Sequence, residues 1–256
     1  MRLIRSFIVA FSMFSRVPMP HFEWKDEDMK YMLCFFPWVG AVIGVCIYLW
    51  RMLATALEIN NLCYTAIGVA IPIIITGGFH IDGFMDTSDA LHSFRDREKK
   101  LEILKDSHIG AFSVIRLALY GLIFMGAFSV VERPALLAIV CAGFFFARCI
   151  SGLGVIILPK ARDNGLLYNS ARTAEEKTVR TVLIIEAVLC AAFMLWQSAV
   201  NGAIIIAAAV CSFLLYYRRC KKEFGGTTGD TAGYFLLICE ETIVVVAAIL
   251  GFLRMG

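Results

Sequence analysis

Apolar residues are grouped along this chain into seven long runs, which polar loops separate. Each run is close to the ~20 residues that a helix needs to cross a bilayer. The runs cover residues 31–57, 62–79, 111–131, 134–158, 179–197, 201–217 and 232–253. This pattern predicts an all-α, polytopic integral membrane helix bundle with about seven transmembrane helices, formed as a single domain over residues 1–256.

A shorter apolar run precedes these segments. It extends from Phe7 to Phe14, follows Arg2 and Arg5, and is succeeded by a segment with two prolines. Small-x-small cleavage signals are absent there, which argues against a signal peptide. We expect a short N-terminal helix that lies at the membrane interface.

Composition agrees with a membrane protein. Hydrophobic residues make up 59% of the chain and the mean hydropathy is +0.75, which is more apolar material than a soluble core requires. The net charge of +3 is too small to suggest nucleic-acid binding. The nine cysteines contain no C-x-x-C pair and are interpreted as small apolar packing residues.

The positive charges are distributed unevenly. Most of the 24 lysines and arginines lie in the N-terminal arm and in the loops after the second, fourth and sixth runs. The positive-inside rule therefore predicts a protein of the cell membrane with its N-terminus and long loops in the cytoplasm and its C-terminus outside. Because the polar clusters share one face and no internal repeat is visible, an enzyme at the membrane surface is favoured over a transporter.

A stripe of aspartates follows the second apolar run. Asp82, Asp86 and Asp89 are spaced i, i+4 and i+7, which places them within about 60° on one face of a helix. Three neighbouring carboxylates repel one another unless they are solvated, protonated or neutralised by a cation. The stripe predicts a divalent metal site, and a solvated helix end is the simpler alternative.

Polar residues in later segments complete a possible site. Lys105 and Asp106 adjoin the third run, and Arg148 is a charged residue inside the fourth, where it needs a partner or a polar cavity. Arg162 and Asn164 belong to a polar turn that could bind an anion. These features indicate phosphoryl transfer, in which positioning and charge neutralisation dominate catalysis.

The last loop strengthens this interpretation. Gly225-Gly226-Thr227-Thr228-Gly229-Asp230 offers backbone N–H groups to a phosphate, with Thr228, Gly229 and Asp230 as the candidate contacts. Glu240 and Glu241 then interrupt the seventh apolar run.

Several motifs, in this order, resemble the cobalamin synthase family of membrane-embedded adenosylcobinamide-GDP ribazoletransferases. They are Phe14-Ser15-Arg16-Val17-Pro18-Met19-Pro20, Phe36-Pro37-Trp38-Val39-Gly40, Gly77-Gly78-Phe79-His80-Ile81-Asp82-Gly83-Phe84-Met85-Asp86-Thr87-Ser88-Asp89, Lys105-Asp106-Ser107-His108-Ile109-Gly110, Arg162-Asp163-Asn164-Gly165 and Gly225-Gly226-Thr227-Thr228-Gly229-Asp230-Thr231. The resemblance implies that adenosylcobinamide-GDP is joined to α-ribazole or its 5′-phosphate with release of GMP, and that Mg²⁺ is the cofactor.

The resemblance also implies roles for the acids. Asp82, Asp86 and Asp89 would hold Mg²⁺ against the pyrophosphate. Asp106 and Asp230 would either add to the metal shell or orient the attacking hydroxyl.

The basic residues and the histidine receive roles in the same way. Lys105, Arg148 and Arg16 would neutralise phosphate charge. His80 is either an acid/base group or a structural histidine, since it lies on the opposite side of the helix from Asp82.

The chain departs from the family pattern at three positions. His108 stands where the family usually has Arg, Ala90 where it has Gly, and Leu237 where it has an acid. Glu241 is one helical turn beyond Leu237, so we predict that Glu241 supplies the missing carboxylate beside Glu240.

Two alternatives remain at this point. A CDP-alcohol phosphotransferase-like enzyme would use similar acids, but its D-G-x-x-A-R start is absent, because Asp82-Gly83 is followed by Phe84-Met85-Asp86. An ion-coupled transporter could use the acids as a cation site.

Overall fold

The computed structural model describes residues 2–106, 108–162 and 166–253. Within these ranges the chain is helical, apart from loops and one isolated β-bridge between Lys160 and Thr227. The helices are α1 (Arg2–Phe14), α2 (Asp26–Met29), α3 (Met32–Ala56), α4 (Asn61–Thr76), α5 (Phe79–His92), α6 (Arg97–Ile103), α7 (Ala111–Phe128), α8 (Pro134–Ile157), α9 (Leu166–Thr173), α10 (Glu176–Gln197), α11 (Ala199–Glu223) and α12 (Gly229–Leu253).

Six of these helices are long and apolar enough to cross a membrane, namely α3, α7, α8, α10, α11 and α12. The bent pair α4 and α5 would make a seventh if it is counted as one span. Each predicted apolar run corresponds to one of these helices or to α4, and α1 is the expected N-terminal helix. The predicted all-α membrane bundle is confirmed.

Helix α8 lies in the centre of the bundle. In its most apolar window 72% of the residues are buried, compared with 17% in α7 and α10. Gly40 and Gly44 bring α3 against it, because a Cβ atom at either position would lie 2.2 Å from the carbonyl oxygen of Phe144 or 2.3 Å from that of Cys141. Small residues thus allow the two backbones to touch, as in other membrane helix pairs.

Two glycines separate α4 from α5. Gly77 and Gly78 have φ angles of +64° and +80°, a left-handed conformation that glycine adopts without strain. The chain bends by 94° between the two helices. The aspartate stripe therefore lies on a helix that turns away from the second membrane segment, a bend that the sequence analysis did not predict.

Helix α5 packs closely against the first turns of α12. A Cβ atom on Gly83 would lie 2.8 Å from the Cα atom of Asp230, and one on Gly233 would lie 3.1 Å from the carbonyl oxygen of His80. Glycine at these two positions brings the backbones of the two helices together. Two of the predicted motifs, which are far apart in sequence, thereby meet.

The N-terminal helix is fastened to the bundle by polar contacts. The guanidinium of Arg5 donates hydrogen bonds to both carboxylate oxygens of Asp28, at 2.6 and 2.8 Å. The Ser6 hydroxyl donates to the carbonyl of Asp28 at 2.7 Å. The bond from Arg5 is the main reason that the pKa of Asp28 is below its usual value.

Candidate functional site

Three carboxylates meet where α5 crosses the N-terminus of α12. Asp82 is exposed and Asp86 is half-buried on α5, and Asp230 is half-buried in the first turn of α12. Burial, and then the charges of Asp82, Asp230 and Asp89, raise the pKa of Asp86 to about 7. The charge of Asp230 thus acts on Asp86 together with those of Asp82 and Asp89, the other two members of the predicted stripe.

Asp89, the third acid of the stripe, has other partners. Its two carboxylate oxygens accept hydrogen bonds from the backbone N–H groups of Gly110, at 2.9 Å, and Ser113, at 2.8 Å. Both donors belong to the N-terminus of α7. Asp89 therefore lies at the edge of the carboxylate cluster and is bonded to a different helix.

Thr228 and Thr231 form the start of α12. The Thr228 N–H donates to the Thr231 hydroxyl at 2.9 Å, and the Thr231 N–H donates to the Thr228 hydroxyl at 3.2 Å. This reciprocal pair is a capping box with threonine in the place of glutamate. It fixes Gly229 and Asp230 in the first turn, where backbone N–H groups have no partner within the helix and favour an anion.

Arg162 is a basic residue that lies close enough to the first turn of α12 to interact with the charge of Asp230. It is half-buried, its guanidinium donates to the carbonyl of Leu101, and it is attracted by the charge of Asp230. Burial lowers the pKa of Arg162. The structure thus brings Arg162 to the predicted site, whereas Asn164 lies outside the described residues.

The other predicted cations and Asp106 are placed differently. Arg16 lies over the break between α4 and α5, with its side chain against Gly77. Lys105 is exposed. Asp106 is exposed and bonded to His108 at 2.6 Å, a contact that lowers the pKa of Asp106. Of these residues, only Arg16 is positioned at the start of the aspartate helix.

Arg148 has the partner that the sequence predicted for a charge inside an apolar segment. Its guanidinium donates to Glu240 at 2.7 Å and to the carbonyl of Phe144 at 2.9 Å. The side chains of Arg148 and Glu240 are 1% and 5% exposed. Arg148, which was predicted to neutralise phosphate charge, is therefore bonded to Glu240 inside the bundle.

His80 is enclosed by aromatic rings. It stacks on Phe14 and contacts Phe36 edge to face, with ring centroids 6.3 and 5.8 Å apart. Burial, and then the charge of Arg148, hold the pKa of His80 well below its usual value. The imidazole is thus neutral and buried, and its Nε2 atom has no hydrogen-bond partner among the described residues. Its role as an acid/base group or as a structural histidine stays a prediction.

The region around the missing acid is apolar. Leu237 packs in a small cluster with Phe84 and Tyr234. Glu241, one turn further along α12, has a buried Oε1 atom with no hydrogen-bond partner among the described residues and is attracted by Arg116 on α7. Glu241 thus faces α7, and the prediction that it replaces the acid remains a prediction.

Comparison with known proteins identifies the family. The model of the cobalamin-5-phosphate synthase family matches residues 6–249. The chain is 38% identical over 201 residues to the adenosylcobinamide-GDP ribazoletransferase of Lachnoclostridium phytofermentans, covering 78% of this chain and 76% of the relative. The chain belongs to the cobalamin-5-phosphate synthase family.

Two further relatives carry the same name. The adenosylcobinamide-GDP ribazoletransferase of Clostridioides difficile is 32% identical over 75% of this chain and 76% of its own length. That of Clostridium perfringens strain SM101 is 43% identical over 49% of this chain and 50% of its own length. No solved structure matches the chain. Membership of this family supports neither the CDP-alcohol phosphotransferase nor the transporter alternative.

The carboxylate cluster suits a divalent cation by its chemistry. Carboxylate oxygens are the ligands that Mg²⁺ prefers. Among the residues that the structure describes, no group of three or more His, Cys, Asp or Glu side chains is arranged so that it could hold a metal ion. A group of three is not required, because Mg²⁺ in phosphoryl-transfer sites is usually held by one or two carboxylates together with substrate phosphates.

Two contacts next to the site were missed by the sequence analysis. Lys100, in the run of charged residues that follows α5, is buried and paired with Glu223. The side chain of Arg97 lies over Gly225, where a Cβ atom would be 2.0 Å from its Cζ atom. The signal in the sequence was the glycine at position 225, whose φ angle of +74° is one that glycine adopts without strain. Helix α6 thereby covers the glycine-rich loop.

Proposed function

We propose that this chain transfers the adenosylcobinamide phosphate group from adenosylcobinamide-GDP to α-ribazole or its 5′-phosphate. A ribose hydroxyl attacks the phosphorus that carries the cobinamide. A new P–O bond forms, the bond to the GMP phosphate breaks, and the hydroxyl proton is lost. The observation that carries this proposal is the meeting of Asp82, Asp86 and Asp230 at the start of α12 in a member of this family.

Mg²⁺ is the cofactor that we propose for this site. One or two of the carboxylates of Asp82, Asp86 and Asp230 would hold it together with the substrate phosphates. Asp89 is left out of this set, since it already accepts two backbone hydrogen bonds. When bound, the ion neutralises phosphate charge and polarises the bond that breaks. The protein itself contributes the fixed positions of these carboxylates, which are set by the contact between Gly83 and Asp230.

Cationic groups flank the carboxylates and would bind the pyrophosphate. Arg162 lies on the α12 side of the site and Arg16 on the α5 side. The N–H groups of the first turn of α12 add partial positive charge. We propose that this arrangement orients the pyrophosphate along the start of α12, with the two arginines at its ends.

The active site is proposed to face the cytoplasm. It lies at the same end of the bundle as the segment after α5 and the last turns of α11, which together carry nine of the 24 lysines and arginines. The substrates are nucleotide derivatives, which are water-soluble on their GDP side. A cytoplasmic site in the cell membrane would receive them directly.

The reaction can be tested with purified protein in detergent. Adenosylcobinamide-GDP, α-ribazole and Mg²⁺ are supplied, and GMP release and formation of the joined cobalamin are measured. We expect activity that requires Mg²⁺ and that is abolished in Asp82→Asn and Asp86→Asn. Asp26→Asn, an exposed acid on α2, is the matched control and should retain full activity.

Two outcomes would contradict the proposal. Absence of GMP release from correctly folded protein would argue against the transferase reaction. Full activity of both Asp82→Asn and Asp86→Asn would argue against the metal site while leaving the transferase reaction intact.

A further inference from the structure

Asp89 makes the two hydrogen bonds of a helix capping box from outside the helix. In a capping box, one side chain accepts the N–H of the third helical residue and another accepts the N–H of the cap residue. In α7 the cap residue is Gly110, which has no side chain, and the third residue is Ser113. The single carboxylate of Asp89 accepts both N–H groups.

The local geometry is built around this carboxylate. A Cβ atom on Gly110 would lie 2.5 to 2.7 Å from the three carboxyl atoms of Asp89, which are the nearest atoms to it. Gly110 has φ −87° and ψ 162°, so its backbone conformation does not itself require glycine. Glycine is needed at position 110 because Asp89 occupies the space of a side chain.

We propose that Asp89 is a positioning residue that fastens α5 to the N-terminus of α7, and that it is not a ligand of the metal ion. The proposal rests on the proposed function, since the reaction defines what is positioned. Both oxygens of Asp89 are held by N–H donors, and the negative charge lies at the positive end of the α7 dipole. These bonds orient the carboxylate toward α7.

The two hydrogen bonds of Asp89 act on the site through α5. Asp86 is three residues before Asp89, about 4.5 Å along the same helix. Nearer its N-terminus, α5 is held by the contact of Gly83 with Asp230 on α12. Helix α5 is thus held between α7 and α12. Loss of the Asp89 hydrogen bonds removes the polar part of the contact with α7 and leaves only the packing of Phe84 on Tyr120 and of His92 on Phe112.

The chain offers a way to separate capping from positioning. Asp89→Ala removes both. Asp89→Ala combined with Gly110→Asp restores a cap within α7 itself, because the new side chain can accept the Ser113 N–H and enters the space that Asp89 has left. The double variant does not restore the connection between α5 and α7.

Three measurements are made on the native chain and both variants in detergent: thermal unfolding, hydrogen–deuterium exchange of the α5 segment, and GMP release as a function of Mg²⁺. We expect a lower Tm in Asp89→Ala and recovery of most of that loss in the double variant. In both variants α5 should exchange faster and kcat should fall by about tenfold to a hundredfold. The Mg²⁺ concentration for half-maximal activity should stay within about twofold of the native value, as expected for a group that does not bind the ion.

Each contrary result has a distinct meaning. Recovery of kcat together with Tm in the double variant would overturn the positioning role, because capping alone would then suffice. A tenfold or greater increase in the Mg²⁺ requirement of both variants would show that Asp89 is a metal ligand. If the native chain releases no GMP, the proposed function fails, and the exchange and unfolding data still decide whether Asp89 fastens α5 to α7.

Discussion

Arg148 on α8 and Glu240 on α12 form a buried ion pair in the centre of the bundle, with 2.7 Å between Nη1 and Oε1. The Phe144 carbonyl accepts a second bond from the same guanidinium, and the ring of Phe36 lies 5.9 Å from its Cζ atom. The pair joins the central helix to the helix that carries Asp230. Each charge depends on the other for compensation, because both side chains are buried.

Removal of one partner should therefore be costly. We expect Arg148→Met to destabilise the protein by about 3–5 kcal/mol, since it leaves Glu240 buried without its cation. Arg148→Met combined with Glu240→Met should be much closer to the native stability, because the interior then contains no unpaired charge. Thermal or denaturant unfolding in detergent measures both. Equal destabilisation of the single and double variants would show that the pair has no such dependence.

The contact between α5 and α12 predicts a second sensitive position. Gly83→Ala places a methyl group 2.8 Å from the Cα and carbonyl oxygen atoms of Asp230, so one backbone must move. We expect a loss of activity of about tenfold or more, because Asp82 and Asp86 shift relative to Asp230. GMP release by the purified variant is the measurement.

Gly121→Ala is a matched control for this substitution. Gly121 also lies in a helix, but no atom is found within 4 Å of a Cβ built there. Its activity should equal that of the native chain, with slightly higher stability from the better helix propensity of alanine. Equal activity of Gly83→Ala and Gly121→Ala would contradict the close approach of the two helices.

The membrane helices could be predicted from the sequence because the bilayer imposes their length and composition. Each apolar run became a helix whose bounds differ by a few residues, and the largest difference is in α11, which continues through charged residues to Glu223. The acids of the site were found because Asp82 and Asp86 carry charge next to an apolar segment. A charge there is energetically costly and usually marks a functional site.

The pairing of these residues could not be predicted in the same way. A sequence pattern shows that Arg148 needs a partner, but only packing shows that the partner is Glu240 rather than a phosphate. The role of Asp89 was likewise hidden, since its hydrogen bonds depend on how α7 approaches α5. The glycine pair Gly77-Gly78 was a signal in the sequence for a bend. The angle of the bend could not be predicted, because it depends on tertiary packing.

Glu241 offers a test of the predicted replacement of the missing acid. It lies eleven residues after Asp230, about 16 Å along α12, and faces Arg116. On this placement we expect Glu241→Gln to lower the Tm, because the half-buried guanidinium of Arg116 loses a neighbouring carboxylate, and to leave kcat within about twofold. A large fall in kcat with an unchanged Tm would instead support the replacement of the acid at Leu237.

The attachment of α1 should depend on pH through Asp28. Arg5 lowers the pKa of this carboxyl in the folded protein, so the ionised form stabilises the fold. That contribution is complete above the unfolded pKa of about 4 and is lost as the pH falls through the lower folded value.

At pH 7 Asp28→Asn should melt at a lower temperature than the native chain. The difference should shrink steadily below about pH 4, where Asp28 of the unfolded chain takes up a proton while the folded chain still holds the ionised form. Asp26→Asn, on the same short helix but exposed, should melt with the native chain at every pH, and a constant difference for Asp28→Asn down to pH 2 would rule out this linkage.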